Sequence, residues 1–155
     1  MNIGEIVRPE QVQFQPDIHS KKRALEEISR LLAAGAPALE ADDILGSLTS
    51  REKLGSTGLG GGVAIPHGRM RGIDNSVGAF LRIGEGVDYE ASDGRKVDLV
   101  FGLLVPQNCN EEHLKILAQL AEMFLDEAFC SKARATSDAR QLHELLVNYV
   151  PAATT

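Results

Sequence analysis

The stretch Val97–Val105, VDLVFGLLV, constrains the fold more than any other part of the chain. Its residues are apolar almost without interruption, so alternation cannot place a wet face on either side. Such a strand needs cover above and below. The flanking segments supply it. Ser20 can cap a helix on which Leu25, Ile28, Leu31 and Leu32 recur at helical spacing before Gly35 and Pro37 stop it. A second helix is expected over Ala41–Ser50, with Asp42 and Asp43 near its positive end and Ile44, Leu45 and Leu48 inward. After the central strand, a helix from about Asn110 to Asp126 would bury Leu114, Leu117, Ala118, Ala121, Phe124 and Leu125. Helices around Glu127–Ala135 and Asp138–Tyr149 follow, the last with Leu142, Leu145, Leu146 and Tyr149 inward. Further strands are expected at Val63–Ile65 and Val77–Ile83, with a tight turn at Asp93–Gly94. Helices before, between and after strands define an α/β sandwich. Residues 1–16, with isolated apolar side chains and two prolines, read as an extended arm, and residues 151–155 as a fraying tail.

A chain of 155 residues that is 43% hydrophobic and 25% charged suits one globular domain. Its formal charge of −6 argues against a general nucleic-acid or anionic-membrane surface. No apolar run approaches the roughly 20 residues that a bilayer span requires, and the first residues lack a basic segment followed by a signal core. Cys109 and Cys130 form neither a disulfide framework nor a CxxC site, and reduced cytosolic thiols are the default reading. A cytoplasmic location is therefore expected. Nothing in the sequence asks for an obligate dimer, because one core accounts for the apolar stripes.

The chemistry concentrates in Arg51–Arg69, REKLGSTGLGGGVAIPHGR. A glycine-rich loop runs into a short apolar strand that ends on Pro66, His67 and Gly68. Proline fixes its own φ and pushes Ile65 toward an extended conformation, while Gly68 lets the chain turn sharply. His67 is thereby expected to project from the sheet edge. The amides of Gly55, Gly58, Gly60, Gly61 and Gly62, with the hydroxyls of Ser56 and Thr57, could approach an oxyanion closely. Taken without any other information, the same residues also fit a flexible surface loop with an ordinary turn histidine. Nucleotide precedents fit poorly. No lysine followed by Ser or Thr comes after the glycines, and the spacing set by Gly58 and Gly60 would put a dinucleotide fingerprint's third glycine at Val63. A phosphoryl group handled here would arrive from another protein.

The run Arg51-Glu52-Lys53-Leu54-Gly55-Ser56-Thr57-Gly58-Leu59-Gly60, continued by Val63-Ala64-Ile65-Pro66-His67-Gly68, resembles the phosphorylation site of the IIA proteins of the bacterial phosphotransferase system. Within that group it is most similar to the nitrogen-regulatory branch, relatives of the mannitol- and fructose-type IIA domains. Ser20-Lys21-Lys22-Arg23-Ala24-Leu25, the run from Val97 to Pro106, and His113-Leu114 extend the resemblance over nearly the whole chain. It implies a single domain with a mixed central β-sheet flanked by helices on both faces. It also implies that His67 takes a phosphoryl group on Nε2 from a small histidine phosphocarrier, and that His113 assists without being phosphorylated. Attack on phosphorus needs one unprotonated ring nitrogen, with the other held by an acceptor that fixes the tautomer. Taken alone, His113 reads as a solvated residue in a helix's first turn.

Arg51 matches the motif as a phosphate-stabilising guanidinium; a helix C-terminal cation offsetting the dipole is the rival reading. Ser56, Thr57, Gly58 and Gly60 are candidate phosphate-loop residues, with plain turn formation as the alternative. Leu59, Ile65 and Met70 are candidates for an apolar docking ring, although Ile65 also suits the core. His19 and His143 read as solvated. His67, Cys109 and His113 could be gathered by folding, but the four-residue spacing of the last two helps a metal only on a helix, and residues 106–110 do not read as one. No metal or cofactor is expected. Two function classes follow from the resemblance. One is a regulatory protein whose phosphorylation state selects its partners, which in this branch include potassium transporters and sensor kinases. The other is a sugar-specific component that hands the phosphoryl group to a IIB domain.

Overall fold

The computed structural model describes residues 3–109 and 111–150. At its centre β6, Val97–Pro106, pairs antiparallel with β5, Val77–Val87, so that Phe80 lies opposite Phe101. The other edge of β6 is shared by two short parallel partners, β3 at Val63–Ala64 and β4 at His67–Met70. They behave as one strand interrupted at Ile65 and Pro66. β1, Val12–Gln15, extends the sheet parallel to β5, and β2, Gly58–Gly60, closes the opposite side antiparallel to β3. The sheet is therefore mixed, with the order β1-β5-β6-β3-β2 and β4 beside β6.

Both faces of β6 are covered, as its composition requires. Val100 and Leu104 pack with Ala64, Ala79 and Leu81 under α1, Lys21–Ala34, and α2, Ala41–Lys53. Leu99, Phe101, Leu103 and Val105 face the other way, with Val63, Ile65 and Phe80, toward α3, Glu111–Leu125, α4, Glu127–Arg134, and α5, Ala139–Val147. Phe80, Phe101 and Phe124 form an aromatic cluster whose centroids lie 5.7 to 6.4 Å apart. The helices begin where side chains can satisfy their free amides. Ser20 Oγ accepts from the Arg23 amide at 3.1 Å, and Asp126 and Asp138 cap α4 and α5 in the same manner.

Three expectations change. Residues 3–15 are not an extended arm: 3₁₀ turns at Ile3–Glu5 and Pro9–Gln11 lead into β1, and Ile3, Ile6, Val7 and Val12 are buried. The isolated apolar residues are anchors, spaced by turns that carry neither strand nor helix periodicity. On α3 the buried stripe is Ile116, Leu120, Met123 and Phe124, whereas Leu114 and Leu125 are 46% and 63% exposed. The stripe is rotated from the expected one because apolar side chains occupy more than half of this helix's circumference, and Leu114 lines a cavity beside His67. His143 is not simply solvated; it is half-buried and its Nε2 donates to the Val7 carbonyl at 3.1 Å, tying α5 to the N-terminal segment. The expected fray at 151–155 lies outside the described residues.

Ile6 sits in the core, and its carbonyl accepts from the Gly78 amide at 2.8 Å. Replacing Ile6 by Ala is expected to destabilise the protein by about 2–5 kcal/mol, as for other buried aliphatic truncations. Urea unfolding measures this, and a shift of only a few tenths would restore the picture of a loosely attached arm.

Candidate functional site: the cavity at His67

The break between β3 and β4 builds the site. Ile65 donates to the Thr57 carbonyl at 3.1 Å, and the Pro66 carbonyl accepts from the Leu103 amide at 2.9 Å. Pro66 has no N–H to offer and holds the intervening peptide rigid. Between these fixed points the Ile65 carbonyl is free of ladder pairing, and it lies 2.8 Å from His67 Nδ1. A carbonyl only accepts, so Nδ1 carries the proton and, in the neutral ring, Nε2 carries a lone pair. The acceptor that the sequence left unidentified is this carbonyl two residues upstream.

His67 begins β4 in register with Leu103, and Arg69 stands opposite Val105. Residues paired across a sheet share a face, so His67 and Arg69 lie on the α3 side. Gly68, between them, faces α2. A Cβ placed on Gly68 would lie 2.3 Å from Ser47 Oγ, so glycine here is what allows α2 to approach β4. The approach brings Ser47, Ser50, Arg51 and Leu54 to one wall of a cavity of about 420 Å³. His67, Arg69, Val105, Leu114 and Leu117 complete its lining.

Arg51 belongs to the last turn of α2, and its Nη1 donates to the Gly55 carbonyl at 2.8 Å. This contact closes the helix end, as the bland reading of Arg51 supposed. Its remaining N–H groups have no other hydrogen-bond partner among the described residues, and the side chain borders the same cavity as His67. Arg69 gives a second guanidinium. Sequence reasoning missed it because residues 66–68 read as a turn; a strand starting at His67 places i and i+2 on one face and would have found it. Leu114, expected in the core, is exposed here, whereas Leu117 packs against the core and also lines this cavity.

The glycine segment does something other than expected. The Thr57 amide donates to Glu52 Oε1 at 3.1 Å, the Gly58 amide to Ser56 Oγ at 3.1 Å, and the Gly61 amide to Asp93 Oδ2 at 3.0 Å. Ser56 Oγ also reaches the Tyr89 carbonyl at 3.4 Å, and Thr57 Oγ1 bonds to Glu52 Oε2. Ser56, Thr57, Gly58 and Gly60 are thus absent from the His67 cavity. Gly60 borders a separate hollow with Leu59, Arg95 and Arg134. The glycines serve the hairpin between β2 and β3, where Gly60, Gly61 and Gly62 all have positive φ. Of the proposed docking ring, Ile65 is core, Leu59 lines that second hollow and Met70 lines a third beside Gln107 and Asn108. The exposed apolar residues that line the His67 cavity are instead Leu54, at the end of α2, and Leu114.

His113 lies in the first turn of α3, immediately before Leu114, and is buried with Nδ1 2.8 Å from Ser76 Oγ. His19 is exposed, as expected. Both cysteines are free thiols, and burial pushes the Cys130 thiol up. Among the described residues no three His, Cys, Asp or Glu side chains form a metal-binding group. No helix there is long and apolar enough to cross a membrane.

Beneath the cavity wall, Glu52 organises a nearly dry polar cluster. Lys21 Nζ pairs with Glu52 Oε1 at 3.0 Å and sits 4.5 Å above the Tyr89 ring, and the Tyr89 hydroxyl donates to Glu52 Oε2 at 3.1 Å. Burial, reinforced by the negative charge of Glu52, pushes the Tyr89 phenol far above its ordinary value.

With this geometry the chain belongs to the phosphoenolpyruvate-dependent sugar phosphotransferase system EIIA 2 family, whose model matches residues 5–149. Among its relatives are proteins named nitrogen regulatory protein. The one from Bradyrhizobium diazoefficiens is 40% identical over 99% of both chains, and that from Pseudomonas aeruginosa is 43% identical over 83% of this chain and 84% of its own. The crystal structure of nitrogen regulatory protein IIA-Ntr from Neisseria meningitidis superposes with a TM-score of 0.85 at 43% identity, covering 93% of this chain and 98% of that one. The mixed sheet with helices on both faces is thus the IIA fold.

The unfolded chain ionises Tyr89 near pH 10, whereas the native state withholds that ionisation. The Tyr89 contribution to stability is therefore complete below about pH 10 and declines as pH rises beyond it. Tyr89→Phe is expected to flatten this alkaline decline, measured by urea unfolding at several pH values. Equal slopes in the two proteins would mean that the phenol ionises freely in the native state.

Proposed function

We propose that this protein is a nitrogen-regulatory phosphoacceptor of the phosphotransferase system, which takes a phosphoryl group on His67 Nε2 from a histidine phosphocarrier. The observation that carries this reading is the 2.8 Å bond from His67 Nδ1 to the Ile65 carbonyl, inside a cavity walled by two arginines. The lone pair on Nε2 attacks phosphorus as the bond between phosphorus and the donor's ring nitrogen breaks, and the donor's imidazole leaves with that electron pair. Nδ1 keeps its proton throughout. The ring gains positive character once phosphorylated, and the Ile65 carbonyl dipole stabilises it. Arg51 and Arg69 offset the charge spread over the equatorial oxygens. His113 assists from the first turn of α3 without taking the group.

Leu54, Leu114 and Leu117 provide apolar contact around the cavity for the donor protein. The added phosphoryl charge then changes which proteins this face accepts, and regulated transporters or sensor kinases are the partner class that the family branch suggests. The regulatory reading is preferred over sugar uptake because relatives 40% and 43% identical carry the nitrogen-regulatory name.

His67→Ala is expected to abolish acceptance from a labelled, phosphorylated phosphocarrier while the circular dichroism spectrum stays unchanged. Acceptance that persists in this variant would overturn the assignment. His113→Ala is expected to slow transfer by about 10²-fold or more while leaving His67 competent. Incubating the phosphorylated protein with a fructose- or mannitol-type IIB domain separates the two classes: retention of the label fits a regulator, and rapid onward transfer fits a sugar-uptake component.

A further inference from the structure

Ser76 is 3% exposed, and its only hydrogen-bond partner among the described residues is His113 Nδ1 at 2.8 Å. We propose that Ser76 is a positioning residue: its hydroxyl donates to Nδ1 and so locks His113 in the tautomer that carries its proton on Nε2. His113 then presents a neutral N–H to the phosphoryl group at His67. This inference rests on the proposed function and specifies how the second histidine of the same site is set.

Register places the pair. Phe80 of β5 faces α3, so Gly78 and Ser76, two and four residues earlier, fall on the same face. Gly78 confirms the alternation, since a Cβ there would strike Phe101 and Ile6 of that core. On the other side of β6, His67 pairs with Leu103, which also faces α3. Ser76 and His67 therefore flank β6 on the face over which α3 carries His113, Leu114 and Leu117.

Hydrogen-bond bookkeeping fixes the direction of the Ser76 bond. If Nδ1 held the proton, the hydroxyl would accept it, and its own hydrogen would be left in a dry site without an acceptor among the described residues. Leaving such a donor unmade is disfavoured. With the hydroxyl donating, both groups are satisfied. The only buried polar side-chain atom left unpaired among the described residues is Arg82 Nε. His113 Nε2 has no hydrogen-bond partner among the described residues. The two histidines of the site thus hold opposite tautomers. His67 is held by a carbonyl that can only accept, which frees Nε2 as a nucleophile; His113 is held by a hydroxyl that donates, which makes Nε2 a donor.

The first measurement is the imidazole ¹⁵N spectrum of the unmodified wild-type protein at a pH where His113 is neutral. Correlations showing the proton on Nε2 are expected, and a proton on Nδ1 would overturn the proposal whether or not the protein accepts phosphate. Ser76→Ala is then expected to mix the His113 tautomers and to slow phosphoryl transfer to His67 by about three- to tenfold, the scale of one hydrogen bond. Ser76→Thr, which keeps the hydroxyl, should recover most of the rate. In a His113→Ala background the Ser76 substitution should slow transfer no further. An equal slowing in that background, or a wild-type rate and tautomer in Ser76→Ala, would refute the positioning role. Failure of the wild-type protein to accept a phosphoryl group would instead overturn the functional reading, while the spectrum still reports on Ser76.

Discussion

The double-sided burial of β6 is the constraint from which the rest of the molecule follows. A strand with Leu99, Phe101, Leu103 and Val105 on one face and Val100 and Leu104 on the other cannot sit at a surface. It requires hydrogen-bond partners on both edges and helices on both faces, and the chain places α1 and α2 before it and α3, α4 and α5 after it. His67 inherits its position from this arrangement. Its strand is short and bound in parallel to β6, and the peptides on either side of the Ile65 carbonyl are held by Thr57 and Leu103. The carbonyl that fixes the imidazole tautomer is therefore as rigid as the core.

The glycine-rich segment illustrates how composition and role can part. Close-approach amides suggested an anion cradle, yet those of Thr57, Gly58 and Gly61 are already committed to Glu52, Ser56 and Asp93. The segment acts as a brace. Glu52 lies next to Arg51 on α2, and by gripping Thr57, Tyr89 and Lys21 it holds the end of that helix, with the guanidinium, against the sheet edge. Positive φ at Gly60, Gly61 and Gly62 is needed to reverse the chain between β2 and β3, and an anion site is not required to explain it.

Much of the fold could be read from the sequence because long periodic segments carry strong signals. The helices of α1, α2, α4 and α5 and the strands of β3, β5 and β6 stand close to where hydrophobic spacing placed them. What escaped detection has little or no period. β1 and β4 are four residues each and β2 is three, which is too short for alternation to register, and the 3₁₀ turns that seat Ile3 and Ile6 have none. His67, Arg51 and His113 could be singled out by residue type and by resemblance. Arg69 and Ser76 could not: Arg69 owes its place to a strand beginning where a turn was expected, and Ser76, immediately before β5, carries no motif or period of its own. Ser76 in particular meets His113 across 37 positions of sequence, a pairing that only the sheet register reveals.

The errors on α3 have a common physical origin. A helix that serves only a core shows one apolar stripe, and spacing then identifies it. This helix has two apolar tasks: Ile116, Leu120 and Met123 seal the core, while Leu114 and Leu117 line the cavity beside His67. Superposed, the two sets make the helix apolar over a wide arc, and its orientation becomes ambiguous until the sheet beneath is known. Leaving Leu114 and Leu54 exposed costs hydration in the free protein, and that cost is recovered only when another surface covers them. Near them, Arg51 and Arg69 set positive charge around His67 in a chain whose formal net charge is −6. Apolar rim and cationic centre together favour a partner that carries an anionic group at the middle of an apolar patch.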